Sequence, residues 1–242
     1  MANTHKIPLA YDTTLLTYAN RKEYVFWDTD QFPNLAIMGN SGSGKSYFTR
    51  LLLGYISKYA ITATGGQPKA YVGCFKSELL TGGKRFWGRH DVRLALSQFH
   101  AEFEARANGD PCKDFRLLVI DEYISWLASM EAKEAKEVQK CIAELLFMVR
   151  SKNMHILLGC HRGMATDFQH GSRDCLNIIF LGSPSKESVG SFVSREDASM
   201  IEKRGRGEGY TVFDGQKPKA ITVPTVQDMA KLDMAIQKLV SD

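Results

Sequence analysis

The chain has 242 residues, 44% of them hydrophobic and 24% charged, and carries a formal net charge of +4. That describes an ordinary globular protein long enough for one α/β domain with a full core, with at most a weak hint of polyanion binding. No apolar run reaches the roughly eighteen residues of a membrane span and "MANTHKIPLAYDTT" lacks a signal-peptide core, so a cytoplasmic chain without membrane insertion is expected.

In chain order, residues 1–33 form a mixed, aromatic-rich lead-in, from which a strand covering the site described next is expected. Leu35, Ala36, Ile37 and Met38 then read as a short buried strand, closed by the Gly39-Asn40 turn signal. Past the turn, Phe48, Leu51, Leu52, Tyr55 and Ile56 recur at helical spacing and form one buried face. Between strand and helix, Gly39, Gly44, Lys45 and Ser46 fill the pattern G-x-x-x-x-G-K-[ST].

The chemistry of phosphate binding accounts for those residue types. Glycines let main-chain N–H groups close around phosphate oxygens, and the following helix points its positive end at the same anion. Gly39, Asn40, Ser41, Gly42, Ser43, Gly44, Lys45, Ser46 and Tyr47 are therefore the expected ATP-binding segment. Lys45 is expected on the β- and γ-phosphates and the Ser46 hydroxyl on Mg²⁺.

Farther along, "AYVGCF" from Ala70 reads as a second strand, and Leu94–Ala107 as a helix with Leu96, Phe99 and Phe103 on one face. Leu117–Ile120 is an apolar strand that runs into Asp121 and Glu122, the form of a Walker B element. Asp121 is expected to hold the Mg²⁺ shell and Glu122 to act as general base on the attacking water. A glutamate directly after the aspartate marks P-loop ATPases with a further strand inserted between the two Walker strands. From Glu131 a long amphipathic helix is expected, then the strand "MHILLGCH", which would present His161 to the γ-phosphate as a sensor. "LNIIFLG" is a fifth strand, and "EGYTVF" with "KPKAITV" a hairpin around Asp214-Gly215. A last helix is expected from Thr225, with Asp228 inside its first turn.

The five cysteines are scattered and read as reduced thiols, and the spacing of Cys160, His161, His170 and Cys175 matches no standard zinc site. The fold expected is α/β, RecA-like, an additional-strand P-loop sheet, mostly parallel and covered by helices on both faces, with a C-terminal hairpin and helix. Residues 34–242 are expected to form one such domain behind the lead-in.

"PNLAIMGNSGSGKSY", "LLVIDEY" and "RSKNMHILLGCHR" resemble the Walker A, Walker B and following strand of the FtsK/SpoIIIE–HerA superfamily of DNA-pumping ATPases. "SRDCLNIIFLGSPSKESVGSF" resembles a stretch of the TcpA-like coupling proteins of Gram-positive conjugative elements, and "CFKSEL" matches a family turn at Lys76 and Glu78. The resemblance covers roughly residues 30 to 225. It implies ATP hydrolysis at the subunit interfaces of a homo-hexamer and sequence-independent movement of duplex DNA, in plasmid or integrative-element transfer. It also implies an arginine supplied by the neighbouring subunit, Arg173 first, with Arg150 and Arg162 as alternatives.

The sensor of that family is normally glutamine, where this chain has His161. Membrane segments and a DNA-reading module are not found in the sequence, so a recruiting partner such as a relaxase or membrane channel component is expected. The basic stretches Lys84, Arg85, Arg89 and Lys203, Arg204, Arg206 are the expected DNA contacts, with solvated loops as the alternative. Two other readings stay open, a viral or satellite genome-packaging ATPase and an ATP-dependent assembly or switch protein that pumps no DNA.

Overall fold

In the computed structural model, which describes residues 6–60, 66–76, 79 and 82–241, ten strands form one sheet. The chain runs β1 (Lys6–Asp12), α1 (Thr13–Ala19), β2 (Tyr24–Asp28), β3 (Asn34–Met38), α2 (Lys45–Tyr59), β4 (Lys69–Cys74), β5 (Phe86–Trp87) and α3 (Val92–Ala107). It continues through β6 (Arg116–Asp121), α4 (Tyr123–Ala128), α5 (Ala132–Met148), β7 (Met154–Cys160) and β8 (Asn177–Leu181). It closes with α6 (Lys186–Phe192), α7 (Arg195–Ala198), β9 (Glu208–Val212), β10 (Lys219–Thr222) and α8 (Met229–Ser241).

The strand order is β2-β1-β10-β9-β8-β3-β7-β6-β4-β5. From β8 to β5 every pairing is parallel, and from β8 to β2 every pairing is antiparallel. β7 lies between β3 and β6, as the Asp121-Glu122 pair predicts.

The inner parallel strands β3, β6, β7 and β8 are buried along their whole length because helices cover both faces. Alternation sorts their side chains. Leu35, Ile37, Val72, Leu117, Val119 and Leu157 pack with Phe48, Leu52, Ile56 of α2 and Ile236 of α8. Ala36, Met38, Leu118, Ile120, Ile156 and Leu158 pack on the other face with Phe99 and Phe103 of α3 and Ile142 and Leu145 of α5.

Two expectations need correction. The lead-in does not cover the phosphate loop: β1 and β2 extend the sheet, with β10, β9 and β8 between β1 and β3. Ile7, Leu9 and Trp27 join the core beside α2, so burial of these apolar side chains fixes the segment at the edge. The last helix starts at Met229, not Thr225. Its cap is Asp228, whose Oδ1 accepts the Lys231 N–H at 2.9 Å, while the Val226 N–H is already given to the Tyr47 hydroxyl at 2.7 Å.

Candidate active site

β3 delivers the chain to residues 39–44 at its C-terminal end, and α2 leaves from Lys45. The Gly39 N–H donates to Cys160 O at 3.2 Å, fastening the loop to the end of β7. Gly44 adopts φ +100°, a left-handed turn that favours glycine, and its carbonyl accepts the Phe48 N–H at 2.9 Å. Asn40, Ser41 and Gly42 are exposed at the mouth, with Asn40 Nδ2 donating to Ser183 O at 2.8 Å.

Lys45 is buried and its Nζ folds back over the loop, 2.7 Å from Gly39 O and 3.4 Å from Asn40 O. Burial holds its ammonium below the usual lysine range, opposed by the charges of Glu122 and Asp121. Ser46 follows in the first turn, partly buried.

Asp121 ends β6, and Glu122 turns the chain into α4 with φ 60° and ψ 42°. This left-handed backbone in a residue other than glycine costs on the order of 1–2 kcal/mol and aims the carboxylate away from the strand line. Both carboxylates are buried. A β-carbon on Gly159 of β7 would stand 2.6 Å from Asp121 Oδ1, so the inserted strand leaves the room that this carboxylate occupies. Burial, reinforced by Glu122, raises the Asp121 carboxyl above the usual range.

Glu122 Oε1 accepts from Lys76 Nζ at 3.1 Å. Its Oε2 lies 2.9 Å from His161 Nε2, within ion-pair range of a protonated ring, yet makes no hydrogen bond. Lys45 Nζ lies 3.3 Å from His161 Nδ1. His161 Nε2 lies 2.7 Å from Lys76 Nζ, and because an ammonium can only donate, a neutral ring, with one acceptor nitrogen, accepts from one of the two lysines at a time. Burial and then the Lys45 charge push the His161 pKa down, which favours this neutral ring.

The arrangement suits its expected ligands on structural grounds. Ser43 Oγ and Glu122 Oε2 are buried without a hydrogen bond, so the site holds polar atoms that the protein leaves unpaired. Two adjacent buried carboxylates call for a cation, and the Ser46 hydroxyl with Asp121 offers hard oxygen donors suited to Mg²⁺.

Other expected residues fall elsewhere. The Tyr47 side chain is committed to the C-terminal segment, donating to Pro224 O at 3.1 Å and accepting from Val226 N. Arg173 precedes β8 and Arg150 precedes β7, at the strands' N-terminal ends, whereas the phosphate loop follows the C-terminal end of parallel β3. Neither reaches the loop of its own chain. Arg173 donates to Ser191 O at 3.0 Å and to Asp174 Oδ1 at 3.1 Å, with 39% of its side chain exposed. Arg162 is exposed beside His161. Glu78 lies outside the described residues.

Arg85 donates to Leu239 O at 3.0 Å, and Arg89 lies over the Phe75 ring at 4.9 Å, so two of the three cations in that stretch lean on the protein. The link from Lys76 to Glu122 has no signal in the sequence beyond the lysine of the turn after β4.

No protein-family model matches the chain. It is 21% identical over 203 residues to the FtsK domain-containing protein YdcQ of Bacillus subtilis (strain 168), covering 78% of this chain and 42% of that protein. The chain therefore spans about two-fifths of the length of that curated relative. Among solved structures, the pCW3 conjugation coupling protein TcpA with ATPγS superposes with a TM-score of 0.72 at 15% identity, covering 99% of this chain and 71% of that one. The cytoplasmic domain of the Thermomonospora curvata type VII secretion ATPase EccC gives 0.65 at 18% identity, covering 93% of this chain and 27% of that one. The fold is that of the FtsK/SpoIIIE-type P-loop ATPases, as the motifs predict. No helix among the described residues is long and apolar enough to cross a membrane.

Proposed function

We propose that this chain hydrolyses ATP and uses the energy to move duplex DNA, working as one subunit of a homo-oligomeric ring, most simply a hexamer. The observation that carries the reading is the convergence of Lys45, Glu122 and His161 around the phosphate loop, with β7 inserted between the Walker strands. The fold shared with a conjugation coupling protein supports DNA as the substrate and mobile-element transfer as the setting. A relaxase or channel component would then recruit the ring.

In this reading the amides of residues 39–44 and Lys45 grip the phosphates, Lys45 exchanging its loop carbonyls for phosphate oxygens. Ser46 and Asp121 would hold Mg²⁺, which offsets phosphate charge when bound. Glu122 orients the attacking water and takes its proton at Oε2, the oxygen left without a hydrogen bond. His161, neutral, stands between Lys45 and Lys76 with Glu122 beside Nε2, so it can report whether the γ-phosphate is present. Arg173 of one subunit completes the neighbour's site.

The test is ATP hydrolysis measured across protein concentration, with and without long duplex DNA, beside a mass measurement of the assembly. Specific activity should rise with concentration and again with DNA, and mixtures of Arg173→Ala with Lys45→Ala subunits should recover activity that neither has alone. Recovery with Arg150 or Arg162 variants instead would move the arginine and keep the ring. Activity indifferent to concentration, DNA and mixing would leave an ATP-dependent switch protein.

A further inference from the structure

β3 divides the surroundings of the phosphate loop in two. On one side β7 and β6 bring His161 and Glu122; on the other, β8 and the approach to β9 bring Gly182 and the basic stretch from Lys203 to Gly207. That stretch is stitched to the loop through the main chain. The Gly207 N–H donates to Ser43 O at 3.0 Å, the Arg204 N–H to Gly182 O at 3.0 Å, and the Gly182 N–H to Glu208 O at 2.8 Å. Val223 N–H closes the set on Gly207 O at 2.7 Å. The segment is held against the phosphate loop as a wall through its main chain.

Its cations are used differently. Arg204 is committed to Tyr210, with Nε and Nη2 at 3.0 and 2.8 Å from the hydroxyl and the guanidinium 5.1 Å from the ring centroid. Arg206 runs along the loop instead: a β-carbon on Gly44 would lie 3.4 Å from Gly207 N and 3.9 Å from Arg206 Cγ. Gly44 is the residue directly before Lys45, and the unpaired, buried Ser43 Oγ precedes it. Arg206 is exposed and makes no hydrogen bond or ion pair among the described residues.

We propose that Arg206 binds the bound nucleotide in its own subunit, at the α/β-phosphate end. This rests on the ATP-hydrolysing reading above. Cleavage occurs at the γ-phosphate, so that end faces Glu122 and His161 on the β6/β7 side. The rest of the nucleotide extends toward the β8/β9 side, where a guanidinium finds phosphate oxygens that ATP and ADP share. Such a contact strengthens substrate, transition state and product alike, so it acts on affinity and leaves the chemical step alone.

The test measures ADP dissociation constants and steady-state ATP kinetics on the full chain. Arg206→Ala should weaken ADP about tenfold or more and raise KM for ATP by a similar factor with kcat unchanged, as a lost charge-assisted contact does. Arg206→Lys should recover part of the affinity, and Lys203→Ala should leave it unchanged. Arg206→Gln, which keeps side-chain length without charge, should behave like the alanine variant, and melting temperatures without nucleotide identify folded proteins. Unchanged ADP affinity with weakened, salt-sensitive binding of duplex DNA would assign Arg206 to DNA and overturn the proposal. A fall in kcat at constant KM would also overturn it, by placing the contact at the γ-phosphate end. A wild-type chain that binds neither ADP nor ATP would instead remove the ATPase reading itself.

Discussion

Toward β7 and β6 the phosphate loop meets side chains that carry or exchange charge: Lys76, His161 and Glu122 stand within 2.7 to 3.1 Å of one another. Toward β8 and β9 it meets main chain, through Ser43 O, Gly182 and Gly207. Main-chain bonds are indifferent to ionisation and fix a shape. Contacts among ammonium, imidazole and carboxylate groups depend on every neighbour's charge, and an arriving phosphate rearranges them. In the proposed ATPase, the flank that would respond to ATP is thus built from groups that can respond, and the main chain of the other flank is built to hold.

Lys45 meets both the loop's own carbonyls and His161, and its removal should have the largest effect. Lys45→Ala is expected to lose tight ATP binding and turnover together, seen by equilibrium binding and phosphate release. Hydrolysis near the wild-type rate would break the comparison at its root, since the loop would then not be a phosphate site.

Glu122→Gln should separate the flanks. Nucleotide affinity and assembly are expected to survive, while kcat falls by roughly 10²–10⁴, the usual weight of a general base. Loss of affinity with an unchanged rate per bound ATP would exchange the roles given to Asp121 and Glu122.

The smallest effect should come from His161 and should be a change of shape in the pH profile. The groups facing its ring are Lys45, Lys76 and Glu122, and its pKa lies below the ordinary histidine value of about 6.5. The ring is therefore neutral at pH 7, and its titration should leave kcat unchanged above that pH. Below about 6.5, protonation removes the ring's one acceptor and adds a cation between two ammonium groups, so the rate should fall. His161→Gln should hydrolyse ATP and lose that acid limb. An unchanged limb in the variant would assign the titration to another group.

The responsive flank was largely legible in the sequence because its parts are local. A glycine-rich bend between an apolar strand and an amphipathic helix, and two carboxylates at the end of an apolar run, each sit within a few residues. The order of β3, β7 and β6 follows from the adjacency of Asp121 and Glu122, and the sheet bears it out. The holding flank is less legible because charge and glycine content cannot reveal where a main-chain amide goes. Lys203, Arg204 and Arg206 read as a loop for polyanions, and nothing local in them tells that Gly207 N donates to Ser43 O, 164 positions away in the chain. β1 and β2 were hidden for a similar reason, since β1 finds β10 at the other end of the chain. The short helices α4, α6 and α7 span 6, 7 and 4 residues, too few for a helical period to stand out.

Tyr47 stands two positions after the motif lysine, yet its hydroxyl serves Pro224 and Val226, 177 and 179 residues further on. A change to phenylalanine there would leave G-x-x-x-x-G-K-S intact and strand a carbonyl and an amide at the far end of the chain. Inheritance at position 47 is therefore answerable to the C-terminal segment, and a sequence can keep its nucleotide signature whole while the clasp joining that signature to the last helix comes undone.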